Sequence, residues 1–594
     1  MPGLSVLHGP DRDQRKNIED LFDSIEFFDR YWTELEVTTP ETVIGQTSYD
    51  GYPIQRFETD DAVVLREGYL YDGAIDPDRL ASLVADRRYE ELEEWLLERD
   101  GEFLVAIYFK DTEEIALLTD ALGRLPTYYA TVEGTAVASR ELKFVREFAR
   151  QSGSPLELDQ LAIAQQLVFE HQLGTRTVFD DVRSIPPGSL VRLRDDDVEL
   201  TRIHRFDFAT DRHADKSVEE NARNLADRFR TACEDRNHPR KKSILSLSGG
   251  LDSRVVAAGY HDAGVPFSAV TFDNTNGLYE SEVAIAESIA DRLGVEWTQY
   301  RAETTANHRS ELLDIKQGMN NVGMTFILDF FEQLHNDIND ITYVTGDGGD
   351  KLLADLTPPR QPKSISNLVD LLLETNGRIP LTEAAEIASV TPYRLRESIR
   401  DRLRSYPESE LSEKYVHFLY RERGFNLLHH GEDRNRYYFW STSPFYSLPV
   451  FRYAINCPET QKSRRALYRR HLHELAPELL EFDYADFDAS LTSLEYRIKQ
   501  ELLEFLTRHR TLRDFVARII KDESGVTEEI AAQIAAVLRD SSDLEPLSER
   551  KVRSIVRNHD SYRPYGLNTL YTTVLLAEGV AEDRSQRTSE PAVQ

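Results

Sequence analysis

The sequence predicts an α/β protein with three parts: a layered sheet domain, a doubly wound parallel sheet and a helical C-terminal part. The chain has 594 residues, which at roughly 100 to 200 residues per domain implies two or three domains. Between about residues 60 and 145, short β-rich stretches alternate with turn residues. From residue 216, apolar strand-like runs alternate with amphipathic helical patterns, the order typical of a parallel sheet.

In the first part, the stretches AVVLREGYLYDG, GEFLVAIYF and EEIALLTD are predicted strands, and ASLVADRRYEELEEWLLER is predicted as one helical segment. A hairpin is predicted from SLVRLRDDD and VELTRI. Polar sequence from Arg205 to Lys216 then marks a boundary. We therefore expect domains at 1–205 and 216–480, with a C-terminal extension at 481–594.

In the second part, a helix at VEENARNLADRFRTACEDR precedes a buried strand at 243–247, a Gly-rich turn and a helix at RVVAAGYHDAG. The later stretches PFSAVTFDN, SEVAIAESIADRLG and DITYVTGDGGD predict a strand, a helix and a strand ending in a loop. Helical patterns dominate after about residue 360, and the last ten residues, SQRTSEPAVQ, have the composition of a tail.

The charge balance excludes some classes of function. The 71 basic and 104 acidic residues give a net charge of -33, which repels polyphosphate backbones and argues against a nucleic-acid partner. The excess carboxylates are spread along the chain, as on the solvated surface of a salt-adapted, haloarchaeal protein.

Targeting and membrane signals are missing from the sequence. No apolar run approaches the roughly 18 to 20 residues of a membrane span, and the start has no secretory pattern, so we expect a soluble cytoplasmic protein without a membrane partner. Cys233 and Cys457 provide no disulfide framework and are expected to be buried.

The strongest chemical signal is the run SGGLDS at residues 248–253, between a predicted strand and a helix. Two glycines let the backbone approach an anion, the helix N-terminus offers free N–H groups, and the hydroxyls add donors. We expect a phosphate site whose residues are Ser248, Gly249, Gly250, Asp252 and Ser253. It is not a Walker A loop, because no Gly-Lys-Ser/Thr follows.

An acid inside a phosphate loop is unfavourable unless a cation bridges it to the phosphates, so Asp252 is a candidate Mg²⁺ ligand. Asp350, in Gly346-Asp347-Gly348-Gly349-Asp350 after a later strand, is the candidate second ligand. The alternative for this second run is a plain Asp-Gly turn.

With both loops in this order, residues 1 to 480 resemble asparagine synthetase and its relatives, which include β-lactam synthetase. SGGLDS resembles the pyrophosphate loop of ATP pyrophosphatases. The resemblance implies a doubly wound ATP-pyrophosphatase domain that uses ATP and Mg²⁺ to adenylate a carboxylate and releases AMP and pyrophosphate. The partners would be a small-molecule carboxylate and ammonia or another amine.

Several site residues follow from this resemblance alone. Val270-Thr271-Phe272 looks like the strand on the adenine side, which makes Thr271 and Phe272 binding candidates together with Gly346. Asp347 stands where the family usually has Glu and β-lactam synthetase has Tyr, near the reacting carboxylate. Arg465 stands where the family has a pyrophosphate-binding lysine; the alternative is a solvated helix cation.

The first part resembles a class II glutaminase domain with the N-terminal nucleophile fold. The matching runs are Glu67 to Tyr71, Asp120 to Tyr129 and Ala138 to Lys143. In that family a cysteine follows the initiator Met, whereas here Pro2 does, so neither a thiol nor a primary α-amine is available. We expect glutaminase activity to be absent, with ammonia coming free or from a separate glutaminase.

The leading hypothesis is an asparagine synthetase-like, ATP-dependent amide ligase. A free-ammonia asparagine synthetase, a β-lactam-type cyclase and an amidase of sugar acids or peptides all fit it. The alternative is a nucleotide-binding pseudoenzyme or regulatory paralogue, favoured by Lys351 and Arg465 and by the missing Glu near Trp440. Sulfur transfer to RNA is disfavoured by the acidic charge and the lack of a paired catalytic cysteine. The sequence assigns neither the two substrates nor the oligomeric state.

Overall fold

The computed structural model describes residues 2–194, 197–208, 211–274, 280–508, 524–541 and 543–589. The first part of this region contains twelve strands in two sheets. Their bounds are β1 Gly3–His8, β2 Trp32–Thr38, β3 Thr42–Ser48, β4 Ile54–Glu58, β5 Ala62–Leu70, β6 Gly101–Phe109, β7 Ile115–Thr119, β8 Tyr128–Val132, β9 Thr135–Ser139, β10 Arg183–Ser184, β11 Ser189–Arg194 and β12 Asp197–Arg202.

The two sheets are antiparallel and lie face to face. Their strand orders are β10-β8-β9-β1-β3-β2 and β12-β11-β7-β6-β5-β4. Because successive side chains on a strand point to opposite faces, Val6 of β1 and Leu65 of β5 share one buried cluster between the sheets. Leu7 packs outward with the helix Leu142–Gln151, and Val64 packs outward with the helices of residues 77–97. The result is the four-layer α/β/β/α sandwich of the N-terminal nucleophile fold.

One local prediction in this part was wrong. Residues 81–99 do not form one helical segment, because they are divided between the helices Pro77–Ala85 and Tyr89–Leu97. The break lies at Arg87, which has a left-handed φ of 57° that an α-helix does not accommodate. The predicted hairpin is confirmed, since β11 pairs antiparallel with β12 from Ser189 to Arg194.

The second part is built on a five-stranded parallel sheet. Its strands are β13 Lys242–Ser246, β14 Ser268–Asn274, β15 Trp297–Ala302, β16 Ile341–Val344 and β17 Trp440–Thr442, in the order β15-β14-β13-β16-β17. All four pairings are parallel. The strand order reverses between β13 and β16, which is the position where open α/β sheets bind ligands. The predicted doubly wound sheet is confirmed.

Helices surround this sheet and continue to the C-terminus of the described chain. A small hairpin, β18 Asp483–Tyr484 with β19 Ala489–Ser490, lies among them. The helices not yet given are Ile18–Asp23, Gln160–Phe169, Val218–Asp235, Leu251–Asp262, Glu280–Leu293, Ala306–Lys316, Phe326–Asp337, Gly349–Leu352, Ile365–Asn376, Leu381–Ile387, Pro392–Arg404, Leu411–Phe418, the π-helix Leu419–Leu428, His429–Asn435, Leu448–Ile455, Glu459–Lys462, Ala466–Leu475, Leu494–Arg508, Ser524–Asp540, Glu549–Arg557 and Pro564–Ser589.

The end of the chain differs from the sequence prediction. The last helix extends through Ser589, so half of the segment predicted as a tail is helical, and residues 590–594 lie outside the described part. Both cysteines are buried, as expected. Among the described residues, no helix combines the length and apolar character that crossing a membrane requires.

Candidate active site

The SGGLDS run forms the turn between β13 and the helix Leu251–Asp262. The turn is closed by its own hydroxyls: the Ser248 backbone N–H donates to Ser253 Oγ at 3.0 Å, and the Gly250 N–H donates to Ser248 Oγ at 3.2 Å. Because the first N–H groups of a helix have no partner within it, the turn presents donors and a positive helix end at the carboxyl end of β13. This geometry suits an anion.

The second predicted loop lies directly against the first. Since β13 and β16 are parallel neighbours, with Leu245 opposite Val344, their following loops meet at the same sheet edge. A Cβ at Gly346 would lie 2.5 Å from the Ser253 backbone nitrogen, and one at Gly349 would lie 2.8 Å from Asp252 Cγ. Only glycine permits this contact, so the structure brings the two loops together.

Both candidate metal ligands lie at this contact. Asp252 Oδ2 accepts the Asp350 N–H at 3.1 Å, and Asp252 Oδ1 accepts the Tyr468 hydroxyl at 2.5 Å. The Asp350 carboxylate is exposed and forms an ion pair with Lys351. Burial and the Asp350 charge raise the pKa of Asp252 to about 7. Lys351 therefore balances the charge of Asp350, but not enough positive charge lies near Asp252 to offset its burial.

These residues fit a divalent cation. Hard carboxylate oxygens are the donors that Mg²⁺ uses, and it commonly takes only one or two of them beside phosphate oxygens. Asp252 and Asp350 would hold it, and the raised pKa of Asp252 marks the charge that a cation would neutralise. A separate group of metal-ligand type, His308, Asp329 and Glu332, lies on the helices Ala306–Lys316 and Phe326–Asp337.

Asp347 lies at the joint between the parallel sheet and the N-terminal sandwich. Its carbonyl accepts the Ser443 hydroxyl at 2.8 Å. Burial and the nearby Glu432 raise the pKa of the Asp347 carboxyl to about 7, against the opposing effects of Arg124 and Arg434. At neutral pH such a group exchanges a proton readily.

Comparisons with known protein families fit this arrangement. The family described as glutamine amidotransferase domain matches residues 84–206, and the family described as asparagine synthase matches residues 224–508. Together the matches span more than half of the chain. The chain belongs to the asparagine synthetase family. Its second part is accordingly that of an ATP-dependent ligase of the amidation type.

Three solved structures align with the chain at low identity and low TM-score. An allosteric regulatory enzyme of purine biosynthesis aligns at 11% identity and a TM-score of 0.25, covering 52% of this chain and 91% of that one. Glutamine phosphoribosylpyrophosphate amidotransferase from B. subtilis aligns at 10% identity and 0.24, covering 69% and 94%. NMN synthetase from Francisella tularensis aligns at 16% and 0.18, covering 37% and 96%. At these scores the likenesses carry no argument. No curated protein matches the sequence.

Two side chains of the predicted adenine strand, those of Thr271 and Phe272, make their contacts within the protein. The Thr271 hydroxyl donates to the Leu247 carbonyl at 2.7 Å and accepts the Trp297 indole N–H at 2.9 Å. Phe272 packs against Phe326 and Phe330, with ring centroids 5.4 and 5.3 Å away. A ligand would therefore meet the backbone of Thr271 and Phe272 rather than their side chains.

Arg465 lies beside the loops and is held by aromatic residues. Its guanidinium donates to the Tyr484 hydroxyl at 3.3 Å and to the Tyr496 hydroxyl at 3.5 Å, and its Cζ lies 5.0 Å from the Tyr484 ring centroid. Ala485, which follows Tyr484 in the chain, donates its N–H to the Gly249 carbonyl at 3.3 Å. The hairpin that holds Arg465 therefore touches the phosphate loop.

Sequence reasoning missed Arg254, which anchors the phosphate loop from beneath. It is fully buried and donates to the carbonyls of Gly249 at 3.2 Å, Phe482 at 3.1 Å and Asp483 at 2.5 Å. Burial lowers its pKa to about 10. The residue follows SGGLDS directly, but nothing in its spacing reveals that a helical arginine points inward.

A cluster of unsatisfied polar atoms beside Asp347 was also missed. Arg124 forms a buried ion pair with Glu432, and its Cζ lies 3.8 Å from the centroid of the Tyr446 ring. The Tyr446 ring packs against Gly348, where a Cβ would lie 2.9 Å from Tyr446 Cζ. The buried atoms with no hydrogen-bond partner among the described residues include Arg124 Nη1, Glu432 Oε1, Arg434 Nε and Tyr446 Oη. Such atoms are costly unless a ligand or water satisfies them. Their polar surroundings suit a small polar substrate.

Proposed function

We propose that this protein adenylates a small carboxylate with ATP and then joins ammonia or another amine to it. The observation that carries the proposal is the contact between SGGLDS and the Asp347 loop, where Gly346 leaves no room for a Cβ against Ser253. That contact puts an anion-binding helix end, two acids and a titratable Asp347 at one switch point. In a family of ATP-dependent ligases, these are the parts that adenylation needs.

The proposed reaction has two steps. A carboxylate oxygen attacks the α-phosphorus of ATP, and pyrophosphate leaves from the SGGLDS turn. The amine nitrogen then attacks the acyl carbon, and AMP leaves with the oxygen that came from the carboxylate. Ser248, Ser253 and the helix N–H groups orient the phosphates. Asp252 and Asp350 would hold Mg²⁺, which would supply charge neutralisation at the phosphates.

Asp347 is the group that we propose for proton transfer. An amine that attacks an acyl carbon must lose a proton, and a carboxyl with a pKa of about 7 can accept it near neutral pH. Arg465 would balance charge on the departing pyrophosphate, and the backbone of Thr271 and Phe272 would meet the adenine.

The domain limits that go with this proposal are 1–205 for the glutaminase-like part, 216–480 for the synthetase part and 481–594 for the helical extension. We further propose a cytoplasmic, salt-adapted protein, on the strength of its net charge of -33.

The N-terminal part is proposed to lack glutaminase activity. Both cysteines of the chain lie elsewhere, in the helix Val218–Asp235 and after the helix Leu448–Ile455. At the start of β1, the Arg140 side chain fills the space beside Gly3, with Cγ 2.6 Å from where a Cβ would be. Ammonia would therefore come free or from a separate glutaminase. Release of glutamate from glutamine by the purified chain would overturn this.

A second candidate is the nucleotide-binding pseudoenzyme. The observation that favours it is the ion pair between Lys351 and Asp350, since a lysine on a carboxylate competes with a metal ion. Replacing Lys351 with Ala distinguishes the two. A ligase keeps or gains Mg²⁺-dependent turnover, whereas a pseudoenzyme binds ATP and cleaves none.

The experiment that tests the proposal is ATP–pyrophosphate exchange in high salt with Mg²⁺, over a panel of carboxylates that includes aspartate. Exchange that requires one particular acid identifies the substrate and supports adenylation. ATP binding without exchange for any acid in the panel favours the pseudoenzyme.

A further inference from the structure

A cleft lined by arginines lies away from the nucleotide site, between the N-terminal sandwich and the helices that follow the parallel sheet. It has a volume of about 150 Å³. Arg202 and Arg205 reach it from the end of β12, Arg402 from the helix Pro392–Arg404, and Arg421 from the π-helix Leu419–Leu428. Phe206 and Phe425 are among its apolar walls. We call these residues the arginine cleft.

Three of the four arginines have no carboxylate partner within 4.0 Å among the described residues. Each donates instead to a neutral oxygen. These contacts are Arg202 to the Pro187 carbonyl at 3.1 Å, Arg205 to the Ser405 carbonyl at 2.9 Å and Arg421 to Asn426 Oδ1 at 2.8 Å. A neutral acceptor supplies no opposite charge, and each of these contacts uses only one of the five N–H donors of a guanidinium.

The nearest carboxylates are already engaged. Glu422 accepts from Arg402 at 2.5 Å and from the Tyr406 hydroxyl at 2.8 Å, and the opposing charges of Arg402 and Arg421 outweigh its burial and lower its pKa to about 2. Glu408 is paired with His417 at 2.6 Å. Among the described residues, Glu422 is therefore the one carboxylate that accepts a hydrogen bond from any of the four guanidinium groups of the cleft.

Arg421 is the most buried of the four arginines in the cleft. Only 8% of its surface is exposed, and burial lowers its pKa to about 10 although Glu422 opposes this effect. Burying an unpaired charge is unfavourable by several kcal/mol in proteins. Such a charge persists where something of opposite sign completes the site.

The backbone gives an independent sign of function here. Residues Leu419–Leu428, which carry Arg421, Glu422 and Phe425, form a π-helix of ten residues. π-helical turns are rare, poorly favoured and found frequently at functional sites. The composition agrees, because a chain with a net charge of -33 has no need of clustered arginines for solubility.

We propose that the arginine cleft binds the phosphate group of a small anion. Guanidinium forks match the tetrahedral oxygens of phosphate with two N–H bonds each. The volume of about 150 Å³ admits inorganic phosphate or the end of a longer phosphate chain. The proposal is independent of the ligase chemistry.

The test is isothermal titration of the full chain with inorganic phosphate, and separately with pyrophosphate, against chloride at matched ionic strength. The variant is Arg202→Gln with Arg205→Gln, because both side chains are exposed and their loss spares the fold. The matched control is Arg404→Gln, which lies two residues from Arg402 on the same helix and is 59% exposed.

We expect phosphate to bind the wild type and the control alike, and to bind the double variant at least tenfold more weakly. The phosphate-induced rise in melting temperature should fall in the same variant. If pyrophosphate alone shows this arginine dependence, the occupant is a diphosphate, and the phosphate-group chemistry stands. Equal binding by the wild type and the double variant, or no binding beyond chloride, would overturn the proposal.

Discussion

Two buried charged clusters in this molecule differ in their balance. Near the start of β1, Arg140 pairs with Glu67 at 2.9 Å and with Asp433 at 2.6 Å, and Lys316 pairs with Asp433 at 2.6 Å. At the two loops of the candidate active site, Asp252 faces another carboxylate. In the first cluster every charge meets its opposite, whereas in the second the acids are in excess.

The pKa directions record this difference. Although burial alone would raise it, Arg140 and Lys316 hold the pKa of Asp433 well below its ordinary value. Burial and Asp350 instead raise the pKa of Asp252 to about 7. The balanced cluster around Asp433 joins the N-terminal sandwich to the helix His429–Asn435. The unbalanced cluster around Asp252 is a place where a bound cation would neutralise the excess negative charge.

The largest expected effect is the loss of the balanced cluster. Asp433→Ala leaves Arg140 and Lys316 buried without their partner, so the free energy of unfolding should fall by about 3 to 5 kcal/mol. Urea denaturation measures this. The exposed pair Lys143–Asp314 provides the control, since Asp314→Ala should cost less than about 1 kcal/mol. Equal costs for the two variants would contradict the comparison.

The same cluster has a pH signature. Because the folded pKa of Asp433 is lowered, its stabilisation is fully present above its unfolded pKa of about 3.9. It is lost as pH falls from there toward the folded pKa. The stability difference between the wild type and Asp433→Ala should therefore shrink below about pH 4. A difference that stays constant between pH 6 and pH 3 would show that the carboxylate charge is not what matters.

The next largest effect concerns the unbalanced cluster. Asp252→Asn removes a charge that we propose holds Mg²⁺, so kcat/KM for ATP turnover should fall about 10²- to 10³-fold with little loss of stability. Asp262→Asn, at the other end of the same helix, should retain wild-type turnover. Comparable activity in the two variants would show that Asp252 is not part of the active site.

A smaller effect should follow from separating the two loops. Gly346→Ala introduces a Cβ 2.5 Å from the Ser253 backbone nitrogen, which should cost about 1 to 3 kcal/mol of stability and most of the ATP turnover. The matched control is Gly525→Ala, where nothing lies within 4 Å. Thermal unfolding and turnover of both variants test this. An unchanged Gly346→Ala protein would mean that the loop contact is not needed.

The smallest effect is expected from the hydroxyl that supports Asp252. Tyr468→Phe removes the 2.5 Å hydrogen bond to Asp252, worth about 0.5 to 1.5 kcal/mol. The Mg²⁺ concentration for half-maximal turnover should rise about two- to tenfold. Tyr415→Phe, which loses a bond to Thr375 in the helical region, is the control. An unchanged Mg²⁺ dependence in Tyr468→Phe would show that Tyr468 does not support the metal site.

Much of the fold was predictable because local signals agree with it. The strand at 243–247, the SGGLDS turn and the following helix appear in the structure as β13, its loop and Leu251–Asp262. The glycines at 249 and 250 were recognisable because close backbone approach to an anion requires them, whereas Gly346 was recognised only through the family resemblance. The break at Arg87 was not, because a left-handed arginine has no sequence signature.

The charged partners could not be predicted for a different reason. Glu432, Asp433 and Arg434 lie on a segment whose charges are typical of a solvated helix, yet all three are buried. Their partners, such as Arg124 and Arg140, lie about three hundred residues earlier in the chain. Pairing at that separation depends on the docking of the two parts, which no local pattern encodes.

The most direct test of the claim that the chain adenylates a carboxylate is to trace one carboxylate oxygen into the products. With the carboxylate that supports pyrophosphate exchange labelled with ¹⁸O, adenylation predicts that one labelled oxygen appears in the phosphate of AMP, detected by mass spectrometry, and that Asp252→Asn abolishes the transfer. If ATP is consumed together with the labelled acid and the AMP carries no ¹⁸O, or if ADP is the product, the chain does not adenylate a carboxylate and the account is wrong.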